Sequence, residues 1–228
     1  MPLLSVRGSA RLAVPPDAAR LLLGMSGKGP DNGAALTTVR ASSERAVELL
    51  RAGGGVPLEP EARPALGFTR GQLTLRRPMR WDEQQGQEIA YGPVTAELLL
   101  EVVVRDWALL PVVTGLLAEV EGASLDGLTW QVDEDNSGWA RARALAVAAA
   151  RTRAEHYAAA VGAALDELEH LADAGLLGDP QHSRGAYDTE QAFAMSGRGV
   201  PDAGGLPHLE PVPQVLRAEV EARYRASP

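Results

Sequence analysis

Polar and apolar side chains alternate along several stretches of the chain. In residues 5–14, Val6, Leu12 and Val14 point to one side, whereas Arg7 points to the other. A period of two is typical of a β-strand with one buried face. The same alternation predicts further strands at 18–28, 72–81, 94–104, 125–132 and 216–224. Because the last of these is far from the others in sequence, we expect it to pair with an early strand.

Three other segments carry apolar residues at helical spacing. The first runs from a cap at Asp31 or Asn32 to a run of three glycines that ends it. The second follows Asp106 and is expected to start later than this cap, because Pro111 would otherwise lie inside the helix. The third, over residues 138–165, has a narrow stripe of small residues and is expected to lie flat on a sheet. The stripe consists of Val147, Ala150, Ala154, Ala158 and Val161.

The order of these elements favours an α+β fold. A strand pair followed by a helix occurs twice, at 5–53 and at 72–121, and βαβ units are few. This order predicts a mainly antiparallel sheet with about three helices packed on one face. We expect a single domain over residues 1–228, with a long flexible loop at about 173–208, where Gly, Pro, Asp and Ser dominate.

Composition and charge exclude several classes of function. The 228 residues include no cysteine, so disulfides, thiolate catalysis and cysteine zinc sites are excluded. The net charge of −8 disfavours nucleic acid and anionic membranes as partners. No apolar run is long enough for a transmembrane segment, and the N-terminus lacks the features of a signal peptide. The expected location is cytoplasmic for the chain as it stands, or exported if a signal peptide was trimmed.

Two motifs look like ligand sites but lack a required residue. The 133–138 segment, Asp-x-Asp-x-Ser-Gly, looks like the start of a calcium loop, yet its twelfth position is Ala144 instead of glutamate. We interpret it as a polar turn that caps the third helix. The glycine-rich stretch at 24–29 fits neither a nucleophile elbow nor a phosphate loop, although a weak anion site at the next helix N-terminus stays open. No histidine pair has the spacing of a helical zinc site. Because none of these motifs is complete, we predict no catalytic residue, no metal site and no cofactor.

Trp107, Trp130 and Trp139 cluster around the second helix and the strand that follows it. Core packing accounts for such residues most simply, since buried aromatic area is common in any core. Tryptophan is also enriched in binding pockets and interfaces. These three residues, together with Arg151 of the third helix, are therefore the candidate binding residues.

A series of short motifs also occurs in a fixed order along the chain. It comprises Val6-x-Gly8, Pro16-Asp17, Tyr91, Val104-Arg105-Asp106, Gly127-Leu128, Ala150-Arg151-x-Arg153-Ala154-Glu155, Tyr157-Ala158, Gly162 and Val220-x-Ala222-x-Tyr224. Their order and spacing resemble the SIMPL domain family, a widespread bacterial group of largely unknown function. The resemblance implies an α+β fold, and similar proteins are often exported and can build large ring-like homo-oligomers. The family supplies no agreed catalytic residues.

Two hypotheses on function follow. The first, which we favour, is a non-enzymatic structural or binding module that self-associates as a homo-oligomer. The reason is that the unpaired backbone groups of an edge strand can pair with another chain unless they are blocked. The second is a small-molecule-binding protein or an enzyme, with a site formed by the 173–208 loop and the tryptophan region. The expected partner is a second copy of the chain in the first hypothesis and an unknown small molecule in the second.

Overall fold

The computed structural model describes residues 2–83, 86–177 and 209–228, which form two compact units. Unit 1 holds the described residues 2–16, 132–177 and 212–228, and unit 2 holds those of 17–131 with 209–211. In chain order the elements are β1 (Leu3–Val14), β2 (Ala18–Gly29), α1 (Asn32–Ala52), β3 (Val56–Pro57), β4 (Leu66–Arg76), β5 (Met79–Asp82), β6 (Gln87–Ala90), β7 (Val94–Val104), α2 (Leu110–Glu119), β8 (Ala123–Gln131), α3 (Ser137–Ala160), β9 (Ala164–Asp173) and β10 (Gln214–Ser227). The predicted α+β class with mainly antiparallel strands is confirmed.

Unit 1 is an antiparallel sheet in the order β1-β10-β9, with α3 packed on it. β1 pairs with β10 along its whole length, from Leu3 opposite Arg225 to Val14 opposite Gln214. The expected pairing of the last strand with an early one is therefore confirmed. The two strands of the 5–53 segment, β1 and β2, follow each other in sequence but do not pair, because they belong to different sheets. The prolines that separate them have a fixed negative φ, whereas the turn of a tight hairpin needs a positive φ at a central residue.

α3 lies flat on β1 and β10 through small side chains, as predicted. The buried residues of α3 are Gly138, Trp139, Ala142, Ala146, Ala150, Ala154 and Ala158. Alanine carries nothing beyond Cβ, so the helix backbone can come close to the sheet. Two residues of the predicted stripe differ, because Val147 is only partly buried and Val161 is exposed beyond the helix end.

α3 also ends earlier than the predicted residue 165. It stops at Ala160, and Gly162 follows with a φ of +70°, the left-handed conformation that commonly terminates a helix. The strand β9, over Ala164–Asp173, was not predicted. Its leucines recur every third residue and most of its side chains are exposed, so it lacks the alternating pattern of a half-buried strand.

Unit 2 contains a five-stranded sheet in the order β3-β4-β7-β2-β8. β3 and β4 are parallel, and the other neighbouring strands are antiparallel. α1 packs on β2 and β7, and Leu21, Leu23 and Met25 of β2 are fully buried. A Cβ atom at Gly27 would lie 2.5 Å from the backbone nitrogen of Val39, so glycine is needed at position 27 for this close approach.

The two helices of unit 2 begin as the sequence predicts. The Asp31 carboxylate accepts a hydrogen bond of 2.8 Å from the Ala34 backbone N–H and caps α1. The Asp106 carboxylate caps a short 3-10 turn by accepting from Ala108. α2 starts after this turn, with Pro111 in its first turn, where no backbone donor is required.

Residues 72–81 do not form the single half-buried strand that the alternation predicts. β4 ends at Arg76, and β5 pairs with β6 in a separate hairpin. The four apolar residues expected to be buried are all exposed: Leu73, Leu75, Met79 and Trp81. Alternation tells which side of a strand a residue faces, but not whether another element covers that side.

Of the predicted loop at 173–208, residues 178–208 lie outside the described residues. The single domain over 1–228 likewise stays a prediction. Among the described residues, none of the helices combines the length and the apolar character needed to cross a bilayer.

Candidate functional site

A groove of about 510 Å³ lies between α1 and β4 in unit 2. We call it the α1–β4 groove. Its volume falls in the range of small-molecule pockets, roughly 300–1,000 Å³. The residues that line it are Leu36, Thr37, Val39, Arg40, Ser43, Glu44, Arg70, Leu73 and Leu98. The lining therefore combines apolar side chains with a few charged and hydroxyl groups.

A β-bulge in β4 brings an arginine and a leucine to this groove. Arg70 lies opposite Leu100 of β7, but Leu73 lies opposite Leu98, so one extra residue has been inserted into β4 between the two pairs. In a regular strand, residues three apart face opposite sides of the sheet. The insertion places Arg70 and Leu73 on the same side, which is a known effect of bulges.

Ser43 anchors the arginine of the groove. This serine belongs to the buried stripe of α1 and is only 3% exposed. Its hydroxyl oxygen accepts a hydrogen bond of 3.3 Å from Nε of Arg70. The bond holds one edge of the guanidinium against the helix, and the two terminal nitrogens keep further donors.

The groove has an excess of positive charge. Its charged lining consists of two arginines and one glutamate, so the local sum is 2 − 1 = +1. Nε of Arg40 lies 3.7 Å from the Glu44 carboxylate, one turn apart on the exposed face of α1. Within the described parts of the chain, no carboxylate forms an ion pair with Arg70. The groove is thus suited to an anion rather than a cation.

The SIMPL family model, described as a protein of unknown function (DUF541), matches residues 4–224. The chain belongs to the SIMPL family. No curated protein matches it. The family match runs from β1 to β10 and so includes both units, and the resemblance seen in the order of the sequence motifs is confirmed.

Two of the predicted binding tryptophans of this SIMPL chain meet in unit 2. The rings of Trp107 and Trp130 are 5.7 Å apart at an angle of 72°, an edge-to-face contact. Trp130 is buried in the strand β8 and Trp107 is partly buried. Trp139 belongs to unit 1, where its indole N–H donates to the backbone carbonyl of Asp133. A binding role for these residues stays a prediction.

Arg151, the fourth candidate, lies on the solvent side of α3 in the SIMPL chain. Its Nε is 3.0 Å from the carboxylate of Glu155, one helical turn later, and its side chain is 70% exposed. Exposed pairs of this kind contribute little to stability. The contact leaves Arg151 accessible, and its predicted binding role is not tested by this geometry.

The polar turn before α3 adopts the capping arrangement proposed from the sequence. The Asn136 side chain accepts a hydrogen bond of 2.7 Å from the Gly138 backbone N–H. Ala144, at the position where a calcium loop needs glutamate, lies inside α3. In the described parts of the chain, no three acidic or histidine side chains are grouped in a way that could hold a metal ion.

A second polar cluster crosses the unit 1 sheet. The Glu221 carboxylate accepts a hydrogen bond of 2.7 Å from Arg7 on the neighbouring strand and another from the backbone N–H of Leu177. The hydrogen bond from Arg7 is the main reason why the pKa of Glu221 lies below the usual glutamate value. Likewise, the Arg225 hydrogen bond lowers the pKa of Glu169. These carboxylates therefore stay ionised and link adjacent strands.

Sequence reasoning missed the charged part of the α1–β4 groove. One available signal was Ser43, a hydroxyl residue within the apolar stripe of α1. Another was Gly71, since an isolated glycine inside a strand often marks a bulge. The alternating pattern of this segment starts at residue 72, so it does not include Arg70 and Gly71 at the bulge.

Proposed function

We propose that this SIMPL protein is a non-enzymatic structural module that self-associates through its β5–β6 hairpin. The proposal rests on one face of that hairpin. Met79 and Trp81 lie two residues apart on β5, opposite Ala90 and Glu88 of β6. They therefore share one face, and they are 54% and 62% exposed.

The hairpin is short and lacks a third strand among the described residues. An isolated two-stranded hairpin is marginal in water, whereas a third strand or a packed face stabilises it. On the opposite face, the Arg80 guanidinium lies 4.9 Å from the centre of the Tyr91 ring. This cation–π contact supports that side only, so the Met79–Trp81 face is the one that gains from a partner.

A second copy of the chain is the partner that we propose for this face. Tryptophan at the centre of an interface commonly contributes a large share of the binding free energy. The edges of the three-stranded sheet favour association as well, since the outer sides of β1 and β9 pair with no strand in the described part of the chain.

The ionised groups with displaced pKa values in unit 1 support a structural rather than a catalytic role. Glu169, Glu221 and Arg225 owe their shifts chiefly to hydrogen bonds between side chains of adjacent strands. The hydrogen bonds of these groups link adjacent strands of the sheet. Catalytic carboxylates, by contrast, typically lie in a water-poor cleft that separates their pKa values.

Sedimentation velocity from low to high micromolar concentration tests the proposal. We expect the mass to exceed the 24.1 kDa of one chain, and the double variant Met79→Ser, Trp81→Ser to raise the dissociation constant by about thirtyfold or more. Tyr157→Ser is the matched control, because Tyr157 is an exposed aromatic residue of α3 in unit 1. A monomeric wild-type chain at high micromolar concentration would overturn the proposal, and so would equal losses in the two variants.

A further inference from the structure

We propose that the α1–β4 groove binds a small amphiphilic monoanion, such as a medium-chain carboxylate. In this arrangement the carboxylate lies against the Arg70 guanidinium. The hydrocarbon part lies on Leu36, Leu73 and Leu98. This inference goes beyond self-association, because none of these residues belongs to the Met79–Trp81 face.

The apolar part of the groove consists of leucines from three elements. Leu36 comes from α1, Leu73 from β4 and Leu98 from β7. Leu73 is 48% exposed, although the bulge turns it toward the helix side of the sheet, which is the side that carries the core. An apolar ligand body would remove this surface from water, which is favourable in proportion to the area covered.

The anionic part of the ligand follows from the arrangement of Arg70. Its Nε donates to the buried hydroxyl of Ser43, which restrains the orientation of the guanidinium. The remaining donors can form the two-pronged contact that arginine makes with a carboxylate. A held side chain also loses less entropy on binding than a free one.

The charge balance limits the ligand to a single negative charge. Glu44 faces Arg40 at 3.7 Å, so these two groups offset each other. That leaves one guanidinium, Arg70, for the ligand. A cation would be repelled by the surplus positive charge. A neutral amphiphile would not form charge-assisted hydrogen bonds with the N–H groups of Arg70.

Saturation-transfer NMR with octanoate on the full chain tests this inference, since the method observes a weak ligand whatever the oligomeric state. Octanamide is the neutral probe of the same length. We expect saturable transfer to octanoate, and binding of octanamide about tenfold weaker, because it lacks the charge-assisted hydrogen bonds. Equal affinity for the two probes would overturn the proposal.

Variants of one strand locate the site. Arg70→Gln should weaken octanoate binding about tenfold. Arg70→Lys should have a smaller effect, because it keeps the charge but loses the two-pronged contact. Arg76→Gln is the matched control, since Arg76 lies on β4 but lines a different hollow on the sheet. Unchanged binding in Arg70→Gln, or an equal loss in Arg76→Gln, would overturn the site.

The experiment also separates this inference from the proposed self-association. The double variant Met79→Ser, Trp81→Ser leaves the groove residues intact and should bind octanoate like the wild-type chain. A loss of octanoate binding in that variant would overturn the placement of the ligand in the α1–β4 groove, whatever its effect on the oligomer.

Discussion

Gly8 of β1 lies directly against Ala150 of α3. A Cβ atom added at Gly8 would stand 2.5 Å from the backbone nitrogen of Ala150 and 2.7 Å from its Cβ. Backbone atoms of the helix cannot move aside as the end of a flexible side chain can. The closeness of α3 to the unit 1 sheet therefore depends on the absence of a side chain at position 8.

We predict that Gly8→Ala destabilises the protein by about 1–3 kcal/mol, the usual cost of overpacking a core. The free energy of unfolding from urea titration measures the effect. Ser9→Ala is the control, because Ser9 is exposed on the other face of β1 and its change should be near zero. A Gly8→Ala protein as stable as the wild type would contradict the close contact.

Asp31 is expected to stabilise α1 as its N-cap. Asp31→Ala removes the acceptor for the Ala34 backbone N–H and should cost about 1 kcal/mol. Asn32→Ala tests the alternative cap that the sequence left open, and it should change the free energy of unfolding little, because Asn32 is the first residue of the helix. A larger loss in Asn32→Ala than in Asp31→Ala would reverse this assignment.

Glu221 should make stability depend on pH in the acidic range. Because its pKa is lowered in the folded state, chiefly by the Arg7 hydrogen bond, its contribution is complete above the pKa of an unfolded glutamate, about 4.3. That contribution is lost as pH falls through the lowered folded-state pKa. Glu221→Gln should therefore lose less stability than the wild type when acidified.

Urea unfolding at a series of pH values from neutral to strongly acidic measures this slope. Arg7→Gln removes the main cause of the lowered Glu221 pKa. Like Glu221→Gln, it should make the free energy of unfolding depend less on pH. Some dependence will remain in both variants, since the pKa of Glu169 is lowered by Arg225. A slope in Glu221→Gln as steep as in the wild type would rule out the assigned linkage.

The edge-to-face contact of Trp107 and Trp130 should appear as an energetic coupling. We predict a coupling of about 0.5–1.5 kcal/mol in a double-mutant cycle with Trp107→Leu and Trp130→Leu. The free energies of unfolding of the four proteins give the value. Additive effects of the two substitutions would show that the ring contact at 5.7 Å contributes nothing beyond burial.

Local patterns were enough to predict much of the fold. The alternation at 5–14 and 94–104 marks real strands, and the capping residue Asp31 marks the start of α1. The alanine stripe of α3 correctly indicated a helix lying flat on a sheet. These features depend on neighbours in sequence, since side-chain period, caps and turns involve residues a few positions apart.

The candidate site was not predicted, for a physical reason. Arg70 and Leu73 meet in the groove because of one inserted residue in β4 relative to β7, and register depends on both strands. Ser43 could be recognised as unusual in an apolar stripe, but its partner Arg70 is far along the chain. Hydrogen bonds between distant residues leave no periodic signal in either segment.

The sequence by itself determined the α+β class, the positions of α1 and α2 and the family, because residue order and local spacing carry that information. The tertiary structure alone decided that β1 is the early strand that pairs with β10, that Met79 and Trp81 stay exposed, and that a bulge forms the α1–β4 groove. Strand partners and burial depend on which distant segments come together, and alternation within one segment is the same whichever partner covers it.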